Sequence, residues 1–293
     1  MRYVLENDTL RVEIDSFGAE LKSVKRKSDD KEYMWYADKK YWGRTSPVLF
    51  PFVGNCRNKE YRYGGKTYAI GQHGFARDME HTMESQTADT IWFSLHSNEE
   101  TMEKYPFAFV LKIGYNLTGN ELKVMWKVEN PDTKTLYFSI GAHPAFLCPF
   151  NGEENKLGYG LQFAGLKEVH HHGNAPDTGL AVMSEDIVIP LEDEKVYFTP
   201  GFFDRCTYMV EGKQTGEVSL VTPDGKPYVT MDFDAPLFAI WSPEGKDAPF
   251  VCIEPWYGRC DADDFDGTLE ERAYENAVEP EQTFEASYSI RYL

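Results

Sequence analysis

Two stretches of this 293-residue sequence place an ionisable group where its neighbours argue against one. In "FVCIEPWYG", residues 250–258, Glu254 stands among Phe, Val, Cys, Ile, Pro, Trp and Tyr, a run that reads as buried. An ionised carboxylate is costly there without partners, and burial raises its pKa, which makes it a better base near neutrality. In "SIGAHPAFLCP", residues 139–149, His143 stands between small residues and a proline inside what otherwise reads as a strand. His73 has a similar setting in "IGQHGFARD", bracketed by Gly71 and Gly74. A carboxylate and an imidazole together can take a proton from one atom and give one to another, which is general acid–base catalysis. The alternatives are structural: an ion pair with an arginine for Glu254, and a buried, hydrogen-bonded ring for each histidine. Asp204 in "GFFDRCTY" repeats the carboxylate pattern more weakly, because the adjacent Arg205 makes a local turn or ion pair its default reading.

Other chemistries find less support. "HHH" at 170–172 lies in a polar stretch and reads as an exposed loop, and His81 and His96 read as surface positions. "DADDFD" at 261–266 has no glycine at the sixth position and no terminal glutamate of a calcium loop, so an acidic loop is expected. There is no GxGxxG opening a helix, no GxxxxGK[ST], no HExxH and no GxSxG. The five cysteines are odd in number and lack CxxC spacing, suggesting neither a disulfide framework nor a zinc site. A formal net charge of −18 disfavours nucleic acid and anionic membrane surfaces as partners. Without a signal-like apolar run or a stretch of the roughly 18 apolar residues a span needs, a cytoplasmic protein is expected.

The elements that must position these residues are strands. Apolar and polar residues alternate in "TLRVEIDSFG", "AELKSVKRK", "ELKVMWKVEN", "EVSLVTP" and "FEASYSIRYL", the period of half-buried strands. "YGGK", "LTGNE", "TPDGKPY" and "SPEGKD" supply the glycines that hairpin turns need. Only "NEETMEKYP" and "DDFDGTLEERAYEN" offer a helical turn or two. An all-β fold follows, with large antiparallel sheets packed face to face and few short helices. No linker interrupts the chain, so residues 1–293 are expected to form a single domain.

"SPVLFPFVGN", "IGQHGFARDMEH", "IGAHPAF", "DRCTY" and "VCIEPW" occur in the order and rough spacing of the aldose 1-epimerase, or galactose mutarotase-like, family, and most resemble its LacX-like branch. The resemblance implies a β-supersandwich and an enzyme that interconverts the α and β anomers of a hexose without metal or organic cofactor. It assigns the general acid to His143 and the general base to Glu254. His73 resembles the family's second histidine and Asp204 the aspartate that holds hydroxyls remote from C1. Arg44 and Arg57 are rival candidates for a substrate arginine, and Trp256, Trp42 and Phe75 could pack against the sugar's C–H face. The histidine's Ala-His-Pro-Ala-Phe context departs from the Asn-His-x-Tyr-Phe-like one of galactose mutarotases. With "HGFAR" shared with hexose-6-phosphate 1-epimerases and Arg77 close by, a phosphosugar stays open, as does a sugar-binding protein without turnover. A glycosidase built on Glu254 and Asp204 would leave His143 idle. The expected partner is a small-molecule sugar, and a monomer or a homodimer is compatible with the chain.

Overall fold

In the computed structural model, which describes residues 1–293, the alternating segments form strands. Glu121–Glu129 and Thr283–Tyr292 pair antiparallel over nine positions, from Glu121 opposite Arg291 to Glu129 opposite Thr283. Leu122, Val124, Trp126 and Val128 thereby all reach the core. These two strands are central in a nine-stranded antiparallel sheet that runs from Lys195–Tyr197 at one edge to Thr82–Gln86 at the other. The four glycine turns each close a hairpin; "SPEGKD", for example, joins Leu237–Trp241 to Phe250–Tyr257. The one α-helix, Glu99–Lys104, is capped by Asn98, whose side chain accepts from the Thr101 N–H at 2.9 Å. No helix is long and apolar enough to cross a membrane.

A second large sheet carries the chemistry. Its order is Ala181–Pro190, Glu168–Asn174, Tyr208–Glu211, Leu237–Trp241, Phe250–Tyr257, Ile140–Ala142 and Val48–Leu49, with Ala145–Leu147 also paired to Phe250–Tyr257. Phe238, Ile240, Val251 and Ile253 turn one face toward the nine-stranded sheet, within a buried apolar cluster that extends from Leu5 to Tyr292. Leu237, Ala239, Met209 and Trp256 belong to a separate cluster on the other face. Phe250–Tyr257 is therefore buried on both sides, which is why its sequence is apolar throughout apart from Glu254.

Two histidine expectations need correction. "EVHHHGN" is polar in composition yet forms the Glu168–Asn174 strand, with Val169, His171 and Gly173 alternating inward and His171 packed on Tyr208 at 4.4 Å. Only His170 and His172 keep the solvent side. His81 is not a surface residue but 2 % exposed, with Nδ1–H donating to the Met79 carbonyl at 3.1 Å. Burial lowers its pKa to about 4. An unfolded chain regains an ordinary imidazole near 6.5, so it binds the extra proton between those values. The stability His81 confers is thus complete above about 6.5 and is lost as pH falls toward 4. We expect the urea midpoint of His81→Gln to fall less steeply than wild type across that window; equal slopes would contradict the assignment.

Candidate active site

The position of His143 follows from an interruption in strand pairing. Along one side of Phe250–Tyr257, Tyr257 and Trp256 pair with Ile140 and Gly141. Pairing resumes only at Cys252, Val251 and Phe250, opposite Ala145, Phe146 and Leu147. Residues 253–255 face the gap where His143–Pro144 leaves the ladder. A proline lacks a ladder donor, and here both Pro144 and Pro255 lie where that side of the strand asks for none. The gap sets His143 beside Glu254, whose carboxylate shares a strand face with Cys252 and Trp256. Gly141 is required close by, since a Cβ there would meet Trp256 Cδ1 at 2.6 Å.

His143 Nε2 and Glu254 Oε2 are 3.3 Å apart, and both side chains are buried. The two groups are close without an aligned hydrogen bond: neither Glu254 oxygen has a hydrogen-bond partner, nor has His143 Nδ1. Burial pushes the Glu254 carboxyl well up. Burial also pulls the His143 imidazole down, and the nearby charges of Arg77 and Arg44 add to that. Each shift disfavours an isolated charge, whereas two groups this close titrate as one unit. Neutral His with protonated Glu and imidazolium with carboxylate hold the same number of protons. A proton moving between the two groups therefore leaves the pair's net charge at zero.

Three aromatic rings enclose the imidazole. Trp42 stacks on it at 4.6 Å and 27°, Trp241 meets it edge-on at 5.2 Å, and His73 does so at 5.7 Å. His73 holds a φ of +63°, and its orientation is fixed by Gly54. The Gly54 N–H donates to His73 Nδ1 at 3.0 Å while the His73 N–H donates to the Gly54 carbonyl at 2.8 Å. An accepting Nδ1 makes the ring neutral with its proton on Nε2, and burial accordingly lowers its pKa well below the usual range. Gly54 itself cannot carry a side chain, because a Cβ would lie 2.4 Å from that of Cys260.

These groups line a cavity of about 630 Å³, within the range of small-molecule sites. Of the residues singled out in the sequence, it brings together His143, Glu254, His73, Trp256 and Trp42. Arg77, noted there only for its closeness to the motifs, is on its wall as well. Four others lie outside. Asp204 opens on a separate cavity of about 300 Å³, and its Oδ1 accepts from the Gly245 N–H at 3.1 Å, so it braces a turn. Arg57 donates to the Phe265 carbonyl at 2.9 Å, strapping a neighbouring loop. Phe75 packs into the core against Tyr105 and Phe109. Arg44 pairs with Asp78 at 2.8 Å and reaches the site only through its charge. Asp204→Asn is therefore expected to change KM by less than about twofold, as for a surface substitution; a tenfold rise would place Asp204 on the ligand.

Trp241, Gln72, Asn174, Thr207 and Glu244 also line the cavity and were not legible as site residues. Trp241 ends the strand opposite Cys252, a pairing that shows only once the register is known. The remaining four are polar residues in unremarkable contexts.

The chain is similar to known proteins over most or all of its length. Residues 1–261 match the aldose 1-epimerase family. The chain is 31% identical over 300 residues to the chromosomal LacX protein of Lactococcus lactis subsp. lactis, covering all of both chains. Among solved structures, a galactose mutarotase related enzyme from Lactobacillus acidophilus is 37% identical, with a TM-score of 0.94 over 100% of this chain and 97% of that one. A galactose mutarotase-like protein from Lactobacillus casei is 29% identical, with a TM-score of 0.91 over the full length of both. With the family match and the LacX relationship both extending over most or all of its length, the chain belongs to the aldose 1-epimerase family.

Proposed function

We propose that the cavity binds a cyclic aldose and interconverts its α and β anomers, with Glu254 as base and His143 as acid. The observation that carries this reading is the 3.3 Å approach of the His143 and Glu254 side chains, unpartnered and buried at a cavity open to a small polar ligand. The carboxylate takes the proton from the C1 hydroxyl while the imidazolium gives one to the ring oxygen, and the ring opens to the aldehyde. The pair is left as neutral His and protonated Glu, the form that burial favours in the empty site. Rotation about C1–C2 exposes the other carbonyl face, and reclosure with reversed roles returns imidazolium and carboxylate. No proton is taken from solvent over the cycle. The neutral Nε2–H of His73 is suited to donate to the ring oxygen or a neighbouring hydroxyl, and the Trp256 and Trp42 faces to cover the sugar's C–H surface. Correct placement of the reacting atoms is itself a rate contribution.

Lys59 and Arg77 among the lining residues favour a hexose phosphate as the second reading. Relaxation of freshly dissolved α-galactose, α-glucose and α-glucose 6-phosphate, followed by polarimetry or proton NMR, tests both. Acceleration of a free sugar supports the first and of the phosphosugar alone the second. The reaction as drawn uses no metal, so prior treatment with EDTA is expected to leave the rate unchanged. Saturable sugar binding without acceleration would instead identify a binding protein.

A further inference from the structure

Besides shuttling protons, the acid–base pair has the geometry of a metal chelate. In tetrahedral zinc sites, bonds of about 2.0–2.1 Å to nitrogen and about 2.0–2.2 Å to oxygen place those two donors roughly 3.3–3.5 Å apart. His143 Nε2 and Glu254 Oε2 stand 3.3 Å apart. Cys252 lies two residues before Glu254 on the same strand face, and one donor atom each from Cys252, His143 and Glu254 lie within 4.8 Å of one another; a zinc–sulfur bond of about 2.3 Å sets the sulfur roughly 3.5–3.7 Å from the other two donors, so the thiol closes in by up to about 1 Å on binding. The Cys252 thiol is free and buried, and both Glu254 oxygens lack hydrogen-bond partners. His143 and Glu254, but not Cys252, line the cavity, and that is the side from which water would complete a three-ligand, one-open set.

We infer that Zn²⁺ binds across His143, Glu254 and Cys252 and, by occupying the acid and the base together, silences the site. Binding displaces the protons of the thiol and the carboxyl to solvent, and thiolate and carboxylate then balance the dication; nothing is oxidised or reduced. Arg77 lines the same cavity, and its cation opposes a dication there. That charge weakens the site, which fits a reversible inhibitory ion better than a resident one. The silencing half rests on the anomerase reading, whereas the binding half does not.

The test titrates purified full-length protein with Zn²⁺ in competition with a chromophoric chelator, and with Co²⁺ to detect a thiolate charge-transfer band. The expected result is one ion per chain, a Co²⁺–thiolate band, and a loss of anomeric acceleration that EDTA reverses. Cys252→Ala and the near-isosteric Cys252→Ser should each weaken Zn²⁺ by at least the about 10–100-fold that even an outer-shell partner is worth, and should lose the band. The paired His170→Ala and His172→Ala change, which removes the exposed imidazoles of the Glu168–Asn174 strand, should leave all of this intact. Zinc lost in that double variant but retained in both Cys252 variants would overturn the proposal, as would no stoichiometric binding. Cys252-dependent binding that left the rate untouched would overturn it equally. Were the wild type to accelerate no sugar, the anomerase reading would fail, and the band and the chelator competition would still decide the site.

Discussion

Glu254→Gln and His143→Gln are each expected to cut enzyme-dependent anomerisation by about 10²–10⁴-fold, the usual worth of a positioned acid or base. Both substitutions preserve shape approximately and remove only the ability to exchange a proton, so KM should move far less than kcat. In the proposed reaction the two groups act in one concerted transfer, so the double variant should be little worse than the poorer single one. The wild-type profile should be a bell with its plateau across neutrality. At low pH both partners are protonated and the base is lost; at high pH both are deprotonated and the acid is lost. Burial pulls the imidazole down and pushes the carboxyl up, so each shift widens the plateau rather than narrowing it. Progress curves by polarimetry between pH 4.5 and 9 would measure this. Near-wild-type rates in either single variant would remove that residue from the mechanism.

The sequence was most informative where local chemistry is self-sufficient. The strand period of "ELKVMWKVEN" and "FEASYSIRYL" needs only the alternation of side chains across a pleat, and both segments are strands with the expected faces inward. Glu254 was legible because a carboxylate among apolar residues violates the local pattern. The failures are of another kind. Asp204 and Arg57 sit in motifs of the right order, yet their side chains are satisfied by the Gly245 amide and the Phe265 carbonyl, partners 41 and 208 positions away. Trp241 enters the site through register across a hairpin. His81 and His171 show that a polar context does not imply exposure, because strand alternation and a single backbone acceptor can bury an imidazole. Asp261 shows the same limit: read as part of an acidic loop, it is a buried partner of Arg272.

That partnership carries the largest expected stability effect. Arg272 is buried and donates through Nε to Asp261 Oδ1 at 2.7 Å, through Nη1 to Glu275 Oε2 at 2.8 Å, and through Nη2 to the Arg259 carbonyl at 2.8 Å. Its guanidinium also lies over the Phe52 ring at 4.8 Å. Asp261 Oδ2 accepts from the Arg57 N–H at 2.8 Å, and Glu275 Oε2 accepts from Ser139 Oγ at 2.7 Å. One cation thus joins the segment after Gly54, the end of the Phe250–Tyr257 strand and the residue that opens the Ile140–Ala142 strand toward His143. Removing it would leave two buried carboxylates without their cation, each with a single hydrogen bond from Arg57 N–H or Ser139 Oγ, and Glu275 already has its pKa raised to about 7 by burial. Arg272→Met is expected to cost about 3–5 kcal/mol, the usual consequence of breaking a buried ion pair from one side. Arg272→Lys should recover only part of that, since an ammonium cannot reproduce a fork that serves Asp261, Glu275, Ser139 Oγ and the Arg259 carbonyl at fixed angles. By the same reasoning, replacing Arg272, Asp261 and Glu275 together with apolar residues of similar volume should cost much less than Arg272→Met alone. Urea unfolding of the three proteins measures the comparison. A single variant within about 1 kcal/mol of wild type would mean that water, not Arg272, satisfies these carboxylates.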